Sequence, residues 1–328
     1  MMETSVLVDD TVVGWYVWPT SYTAYKVNTH ESLFETIEPD SVEAYTTFGE
    51  AFTSPEYWDK MSKYLSEEAH QKTEDCFNDS HARLFSSIFQ MYQDLPLEAA
   101  RPCIESLCAS SDQKNAQRAA SEILGGLVRG TKHWNPSKLA RLWEWLLPLL
   151  QRAFLGITPD SLTYWESFVK FCVARRDPRR IRPLIDLLLS SELDPTSDAA
   201  FNEARKLLLI RAMVVKLQWR GLPLVDRLLP THLNNLQHPY KQVREVIGGN
   251  IYEFLQLEWV PGVSSVDSLL RMHVKAGDGV GHVAAELNAE QQTRVTYIIQ
   301  RLDQWFKEID GNTASSDYAH ASKTGKDD

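Results

Sequence analysis

Apolar residues recur every three or four positions along most of the chain after Ser54, which is the spacing of one buried face of an α-helix. These amphipathic stretches are roughly 12 to 20 residues long, as expected for helices of globular proteins. Short connections that contain Pro, Asp, Asn or Gly separate them. One helix is predicted to begin at Asn135 and Pro136, a cap followed by a first-turn proline, and to end at Gly156. The pattern predicts an all-α protein whose neighbouring helices run antiparallel.

The periodicity divides the chain into five regions. Residues 1–54 include the stretch GWYVWPTSYTAYKV, which mixes aromatic and β-branched residues without a helical period, so we predict an extended or irregular aromatic segment there. Residues 55–257 are predicted to form one helical array. A glycine-richer loop region is predicted over 258–289, and a C-terminal helix over 290–310 precedes a disordered polar tail over 311–328.

Two of the predicted helices share an order of residues. NAQRAASEILGGLV places Arg118 ahead of the pair Gly125 and Gly126, and YKQVREVIGGNIYEFL places Arg244 ahead of a second glycine pair. Three repeats of about 42 residues separate the two arginines, which lies within the length range of HEAT repeats. We therefore predict an α-solenoid of HEAT/armadillo-like helix pairs, roughly four of them within residues 55–257.

The pair Gly125 and Gly126 has two interpretations. A phosphate-binding loop would need the glycines to follow a strand and to open a helix. Here they lie inside a helical pattern with no preceding strand, which favours small residues that let another helix come close. We expect both glycines to face an adjacent helix.

Charge and composition narrow the functional class. The formal net charge of −10 excludes binding of nucleic acid through the overall electrostatic field. The four cysteines form no CxxC motif, and we interpret them as reduced packing thiols of an intracellular protein. The N-terminus lacks the basic flank and apolar core of a signal peptide, and the longest apolar run is interrupted by charged residues and proline, so no membrane association is expected.

The densest cluster of charge is ARRDPRRIR, which is predicted to lie around a turn between two helices. Guanidinium groups bind phosphate oxygens through paired hydrogen bonds, so a converging cluster would hold a polyanion. The alternative is a cationic helix C-terminus, which the helix dipole favours, followed by a solvated turn. The candidate anion-binding residues are Arg175, Arg176, Arg179, Arg180 and Arg182.

The sequence shows no arrangement typical of a catalytic site. It contains no GxSxG nucleophile motif, no sign of a paired-carboxylate site and no histidine or cysteine set at metal-ligand spacing. We expect a non-catalytic regulator or scaffold that requires no metal and no cofactor.

Several stretches, taken in order, resemble one known family. They are GWYVWP (Gly14–Pro19), NAQRAASEILGGLVRGTKHW, ARRDPRRIRPLIDLLLSS, QWRGLPLVDRLL and YKQVREVIGG. This order is similar to that of the large single-chain HEAT-repeat proteasome activator, known from bleomycin sensitivity. The likeness extends from about residue 8 to residue 256, and the block 115–134 is its most specific part because its RGTKHW ending does not follow from generic HEAT patterning.

The resemblance implies a functional role that the residues alone do not. Members of the family cap the twenty-S core particle of the proteasome at its outer α-ring and promote ATP-independent, ubiquitin-independent degradation of peptides and acetylated histones. This activity is linked to DNA repair, in the nucleus and the cytoplasm. The family also binds inositol polyphosphates in basic openings, which makes such a ligand an expectation for the arginine cluster. No direct binding of nucleic acid is implied.

The resemblance also implies that the chain is an internal segment. Family members are many times longer and end in a Tyr-Tyr-small tail, whereas this chain ends in KTGKDD. The alternative is a free-standing HEAT-repeat scaffold or adaptor for protein–protein interaction, which would share only the repeat architecture.

Overall fold

A computed structural model describes residues 39–67, 76–111, 113–174, 178–190, 192–197, 199–217, 221–259 and 289–313. Helices account for most of these residues, and this part of the chain contains no β-strand. The helices are α1 (Pro39–Phe52), α2 (Pro55–Glu67), α3 (Asp79–Tyr92), α4 (Leu97–Ala109), α5 (Lys114–Gly130), α6 (Pro136–Leu155), α7 (Leu162–Val173), α8 (Arg182–Leu189), α9 (Ala200–Leu217), α10 (Leu222–Asn234), α11 (Lys241–Trp259) and α12 (Ala289–Thr313). Short 3-10 helices span Thr131–His133 and Pro178–Ile181.

The chain divides into two compact units, Met1–Arg220 and Gly221–Asp328. The first unit contains α1 to α9 in two layers. In one layer α2 contacts α4, α4 contacts α6 and α6 contacts α8; in the other, α3 contacts α5, α5 contacts α7 and α7 contacts α9. The layers meet where α5 packs on α2 and α4, and where α9 packs on α8. Alternate helices that stack in two layers form an α-solenoid, so the predicted fold class is confirmed.

Local sequence chemistry sets the ends of α6 as predicted. The Asn135 side chain accepts a hydrogen bond of 2.8 Å from the backbone N–H of Lys138, Pro136 occupies the first turn, and Gly156 follows the last residue of the helix. The same capping chemistry begins α3, where the Asn78 side chain accepts from the backbone N–H of Ser80 at 2.9 Å. Each cap satisfies N–H groups that have no partner inside the helix.

Buried tryptophans join the helices of the first unit. The Trp58 ring stacks on Phe85 and Phe89 of α3, with ring centroids 6.0 and 5.8 Å apart, and its indole N–H donates to the backbone carbonyl of Phe52. Trp165 of α7 is fully buried, and its indole N–H donates to Gln117 of α5 at 3.0 Å. In both residues a large apolar ring is buried and the indole N–H donates to an acceptor.

In the second unit α10 contacts both α11 and α12. His232 of α10 is buried in this unit. Its Nδ1–H donates to the carbonyl of Leu228 at 2.8 Å, and its Nε2 lies 3.0 Å from the side-chain amide of Asn250 in α11. Burial lowers the pKa of His232, which keeps the imidazole neutral at pH 7.

Among the described helices, none combines the length and the apolar character needed to cross a bilayer.

Some predicted boundaries are wrong. Residues 39–52, placed in the irregular segment, form α1, because the half-buried rings of Tyr45 and Phe52 pack against Tyr92 of α3 at centroid distances of 4.6 and 5.2 Å. The last helix is longer than the predicted 290–310, since it extends from Ala289 to Thr313. Residues 1–38, 260–288 and 314–328, which carry the remainder of the predicted irregular segment, loop and tail, lie outside the described residues.

Candidate functional site

The block 115–134 includes a close contact between α5 and α3. A Cβ added at Gly126 would overlap Phe85 Cβ and would lie 2.7 Å from the carbonyl oxygen of Ala82. One turn later, a Cβ added at Gly130 would lie 2.6 Å from Phe89 Cβ. The backbones of α3 and α5 can approach this closely only because neither glycine has a side chain.

Gly125 points to a different neighbour. A Cβ there would lie 3.3 Å from the Phe171 ring of α7, so the prediction that Gly125 and Gly126 both face adjacent helices is confirmed. The helix α11 has the same Gly-Gly pattern in its sequence, but its glycine packs differently: a Cβ added at Gly248 would meet no atom within 4 Å. The same Gly-Gly pattern therefore brings two backbones close in α5 and leaves open space beside Gly248 in α11.

A buried charge network lies at the centre of α5. Arg118 and Glu122 are almost completely buried, and Arg118 Nη1 donates to Glu122 Oε1 at 3.1 Å. The other carboxylate oxygen of Glu122 accepts from His81 Nδ1 at 2.9 Å. The backbone N–H of Asn78 also donates to Glu122 Oε1, at 2.8 Å. One carboxylate thus joins α5 to the start of α3, and its burial is compensated by three donors.

Four arginines of the first unit, including Arg118, share one type of contact. Each donates to backbone carbonyls at the C-terminal end of another helix. Carbonyls at the C-terminal end of a helix carry the negative end of its dipole, which a guanidinium neutralises. We call them the bracing arginines. They are Arg118, which donates to Leu65 (2.8 Å); Arg129, to Phe171 and Ala174 (2.8 and 3.4 Å); Arg180, to Thr131 and Trp134 (2.7 and 2.9 Å); and Arg205, to Leu155 and Ile157 (2.8 and 3.1 Å).

The bracing contacts follow the repeat. Donor and acceptor are separated by 42 to 53 residues along the chain in these bonds. Trp134 extends the pattern, since its indole N–H donates to the Phe89 carbonyl, 45 residues away, at 2.8 Å. These separations are close to one HEAT repeat, so each bond links successive repeats. The basic and aromatic ending RGTKHW is therefore a connector, with Arg129 as a donor and Thr131 and Trp134 as acceptors.

The structure changes the interpretation of the arginine cluster. Arg180 is only 5% exposed and is committed to the carbonyls described above, so it is a structural residue, and including it in an anion site was wrong. Arg182 bonds Asp186 of its own helix at 3.2 Å. Arg175, Arg176 and the Arg179 side chain lie outside the described residues. Inositol polyphosphate binding stays a prediction for the members of the cluster other than Arg180.

The Arg180→Met variant is expected to lower the free energy of unfolding by about 2 kcal/mol, because two charge-assisted hydrogen bonds to buried carbonyls are lost. Arg182→Met is the matched control from the same cluster. Its ion pair is partly exposed, so the loss should stay below about 1 kcal/mol. Urea unfolding followed by circular dichroism measures both, and equal shifts of the two midpoints would contradict the bracing role.

The remaining anion-binding hypothesis has a direct test. Isothermal titration with inositol hexakisphosphate should show salt-dependent binding that is lost in Arg175→Ala/Arg176→Ala, because guanidinium–phosphate pairing is electrostatic. The control is Lys241→Ala, which removes an exposed charge in the second unit. Equal heats for all three proteins would leave the cluster as solvated surface.

An apolar groove lies between α2 and α3, with a cavity volume of about 370 Å³. We call it the α2–α3 groove. It is lined by Tyr57, Lys60, Met61, Tyr64, Leu65, His81, Leu84 and Phe85. His81 is held by Glu122, so the buried charge network forms part of one wall.

The described residues offer little for catalysis. No group of three or more histidine, cysteine or acidic side chains is placed to hold a metal ion in this part of the chain. The structure gives the four cysteines as thiols rather than disulfides. Burial raises the pKa of Cys108 to about 12 and raises that of Cys103, so both remain protonated at pH 7 and are poor nucleophiles.

Comparison with known proteins agrees with this architecture. The family model described as "Proteasome activator complex subunit 4-like, HEAT repeat-like" matches residues 2–212. Proteasome activator complex subunit 4 of Homo sapiens is 28% identical over 337 residues, which covers 96% of this chain and 18% of the human protein. The Xenopus laevis protein of the same name is 32% identical over 246 residues, which covers 75% of this chain and 13% of that protein. Proteasome activator BLM10 of Saccharomyces cerevisiae is 24% identical over 280 residues, which covers 82% of this chain and 12% of the yeast protein.

The chain thus spans less than a fifth of the length of these relatives. The matched region includes the glycine contacts, the buried charge network and all four bracing arginines, from Arg118 to Arg205. The family model covers most of the chain, and the chain therefore belongs to the proteasome activator complex subunit 4-like family of HEAT repeat-like proteins.

Proposed function

We propose that this chain is a non-catalytic segment of a proteasome activator and that it forms part of the helical scaffold of that activator. The observation that carries the proposal is the alignment of 96% of the chain with a human protein named proteasome activator complex subunit 4. Similarity over nearly the whole chain supports a shared role for the whole segment rather than one borrowed motif.

The packing of the first unit supports a scaffold role. Glycine contacts fix the distance between α3 and α5, and the bracing arginines join successive repeats through buried and part-buried hydrogen bonds. A surface that meets a large partner benefits from such order, since less conformational freedom is lost on binding. In this proposal the segment positions contact surfaces, and peptide hydrolysis belongs to the core particle.

The partner and substrates follow from the family and are proposed with it. We propose that the partner is the outer α-ring of the twenty-S core particle and that the substrates are peptides and acetylated histones, in DNA repair, in the nucleus and the cytoplasm. We also propose that activation needs neither ubiquitin nor ATP. The glycine pair of α5 packs against other helices and forms no phosphate-binding loop, so this pair supplies no nucleotide site.

Co-purification tests the proposal. An affinity tag on the endogenous protein that contains this sequence should recover the α-subunits of the core particle, together with inhibitor-sensitive hydrolysis of a fluorogenic peptide. Untagged cells of the same strain provide the control for nonspecific recovery. Recovery of other partners without core particle subunits would contradict the proposal and would favour the free-standing scaffold.

A further inference from the structure

A polar cavity of about 190 Å³ lies in the second unit, where the end of α10 meets α12. Its wall includes Asn234, the last residue of α10, and Arg301 and Trp305 of α12. Buried Ile298 lies one turn before Arg301, and Trp305 lies one turn after it, so these three side chains share one face of α12. We call this space the α10–α12 cavity.

The Arg301 guanidinium at this cavity has neutral partners. Its Nη1 donates to Gln304 Oε1 at 3.1 Å, and its Nη2 donates to Asn234 Oδ1 at 3.3 Å. The nearby carboxylate of Asp303 pairs with Lys307 at 2.8 Å, and no carboxylate of the described residues forms an ion pair with Arg301. The half-buried guanidinium therefore keeps an uncompensated positive charge and further N–H groups that these two bonds do not use.

A second donor at the cavity has no acceptor. The indole N–H of Trp305 is buried and makes no hydrogen bond to any of the described residues. Buried N–H groups without a partner are rare in folded proteins, and a missing water or ligand commonly explains them. The wall of the α10–α12 cavity thus combines an uncompensated cation with an unsatisfied N–H group, and both are satisfied by an anionic acceptor.

We propose that the α10–α12 cavity binds a small carboxylate, which pairs with Arg301 through one oxygen and accepts from the Trp305 N–H through the other. One guanidinium balances one negative charge, which favours a carboxylate over a phosphate group with up to two charges. The cavity has room for several water molecules and therefore for an acid of a few heavy atoms. Leu233 and Leu236, which also line it, would contact the apolar part of the ligand. This inference does not depend on binding to the proteasome.

Fluorine NMR of the full chain labelled with 5-fluorotryptophan tests the proposal. The Trp305 N–H is not exposed to solvent, so its ring must turn slightly when a ligand accepts from it, which makes the ring a reporter of binding. Trp305→Phe identifies its signal. Sodium acetate at constant ionic strength should shift this signal saturably, whereas acetamide, which has the same shape without the charge, should not. No shift with acetate, or an equal shift with acetamide, would mean that the cavity holds water only and would overturn the proposal.

Two further ligands define the chemistry of the site. Tighter binding of inorganic phosphate than of acetate would overturn the assignment to a carboxylate. Tighter binding of N-acetylglutamate N-methylamide than of acetate would assign the carboxylate to a protein side chain, and binding at least as tight for acetate would assign it to a free acid. Both of these last outcomes support the site.

A charge-removing variant tests the role of Arg301. Arg301→Gln should weaken acetate binding about tenfold or more, because hydrogen bonds to a charged group are lost. Lys307→Gln is the matched control, since it removes a 76% exposed cation from the same helix and should leave acetate binding unchanged. Circular dichroism shows whether Arg301→Gln is folded; if it is not, Arg301→Lys, which keeps the charge and loses the planar fork, should bind acetate more weakly than the wild type. Equal affinities of the wild type and the folded Arg301 variant would overturn the proposal.

Discussion

The Gly126→Leu variant is expected to lower the free energy of unfolding by about 3 kcal/mol, the upper end of the range for overpacked contacts. The new Cβ would overlap Phe85 Cβ and would lie 2.7 and 2.9 Å from the backbone of Ala82 and Ser86. Rotation of a side chain cannot relieve these overlaps, since the atoms involved belong to the α3 backbone or are attached directly to it. The helices must separate, and the buried rings around them lose contact.

Gly248→Ala is the matched control, because Gly248 also lies inside a helix but has open space beside it. Alanine favours helix over glycine, so this variant should gain about 0.5–1 kcal/mol. Gly126→Ala carries the same propensity gain and should still lose stability, since even one methyl group overlaps α3. Urea unfolding followed by circular dichroism measures all three. If Gly126→Ala stabilises the protein as Gly248→Ala does, the close approach of α3 and α5 is not present in solution.

The Glu122→Gln variant is expected to lower the free energy of unfolding by about 3 kcal/mol, because it leaves the buried Arg118 guanidinium without its counter-charge. The carboxylate receives donors on both oxygens, from Arg118 and Asn78 on one and from His81 on the other. An amide has only one oxygen. If its NH₂ group faces Arg118 and Asn78, it meets two donors and the hydrogen bonds there are lost; if it faces His81, the imidazole must change tautomer so that Nδ1 accepts.

The control for Glu122→Gln is Asp59→Asn, which removes the charge of an exposed pair. Lys63 and Asp59 are 2.9 Å apart, with side chains 65% and 64% exposed, so this loss should stay below about 1 kcal/mol. The two urea midpoints provide the comparison. Adding Arg118→Met to Glu122→Gln should cost less than Arg118→Met in the wild-type chain, because the ion pair is already broken. Equal, small losses for Glu122→Gln and Asp59→Asn would contradict the importance of the buried pair.

Several features of the fold could be predicted because neighbouring residues determine them. The helical period, the Asn135–Pro136 start of α6 and its end at Gly156 depend on side chains within a turn or two of one another. The sequence did not predict α1 because residues far away in the chain stabilise it. Its sequence has a weak local pattern, and its aromatic side chains Tyr45 and Phe52 pack on Tyr92, which lies 47 and 40 residues further along the chain.

In the candidate site, too, the sequence predicted a feature that depends on one helix and did not predict which arginine is buried. Two glycines inside a helical pattern predicted close packing correctly, because glycine there is unfavourable unless a neighbour needs the space. The cluster at Arg175–Arg182 was treated as one surface, yet Arg180 lies inside the fold. A sequence signal was present for Arg118, which is followed directly by the small residues Ala119 and Ala120 on a largely apolar helix. Arg205 has no such signal, because Glu203 and Lys206 are close to it in the sequence.

The sequence by itself determined that this protein is a stack of helix pairs, where most helices begin and end, and that Gly125 and Gly126 face neighbouring helices. Those properties arise from interactions along one helix or from the absence of a side chain. Only the tertiary structure decided which charges are buried and what they bind. The acceptors of Arg129, Arg180 and Arg205 lie 42 to 50 residues away in the chain, and they come within hydrogen-bonding distance only after two layers of helices have packed.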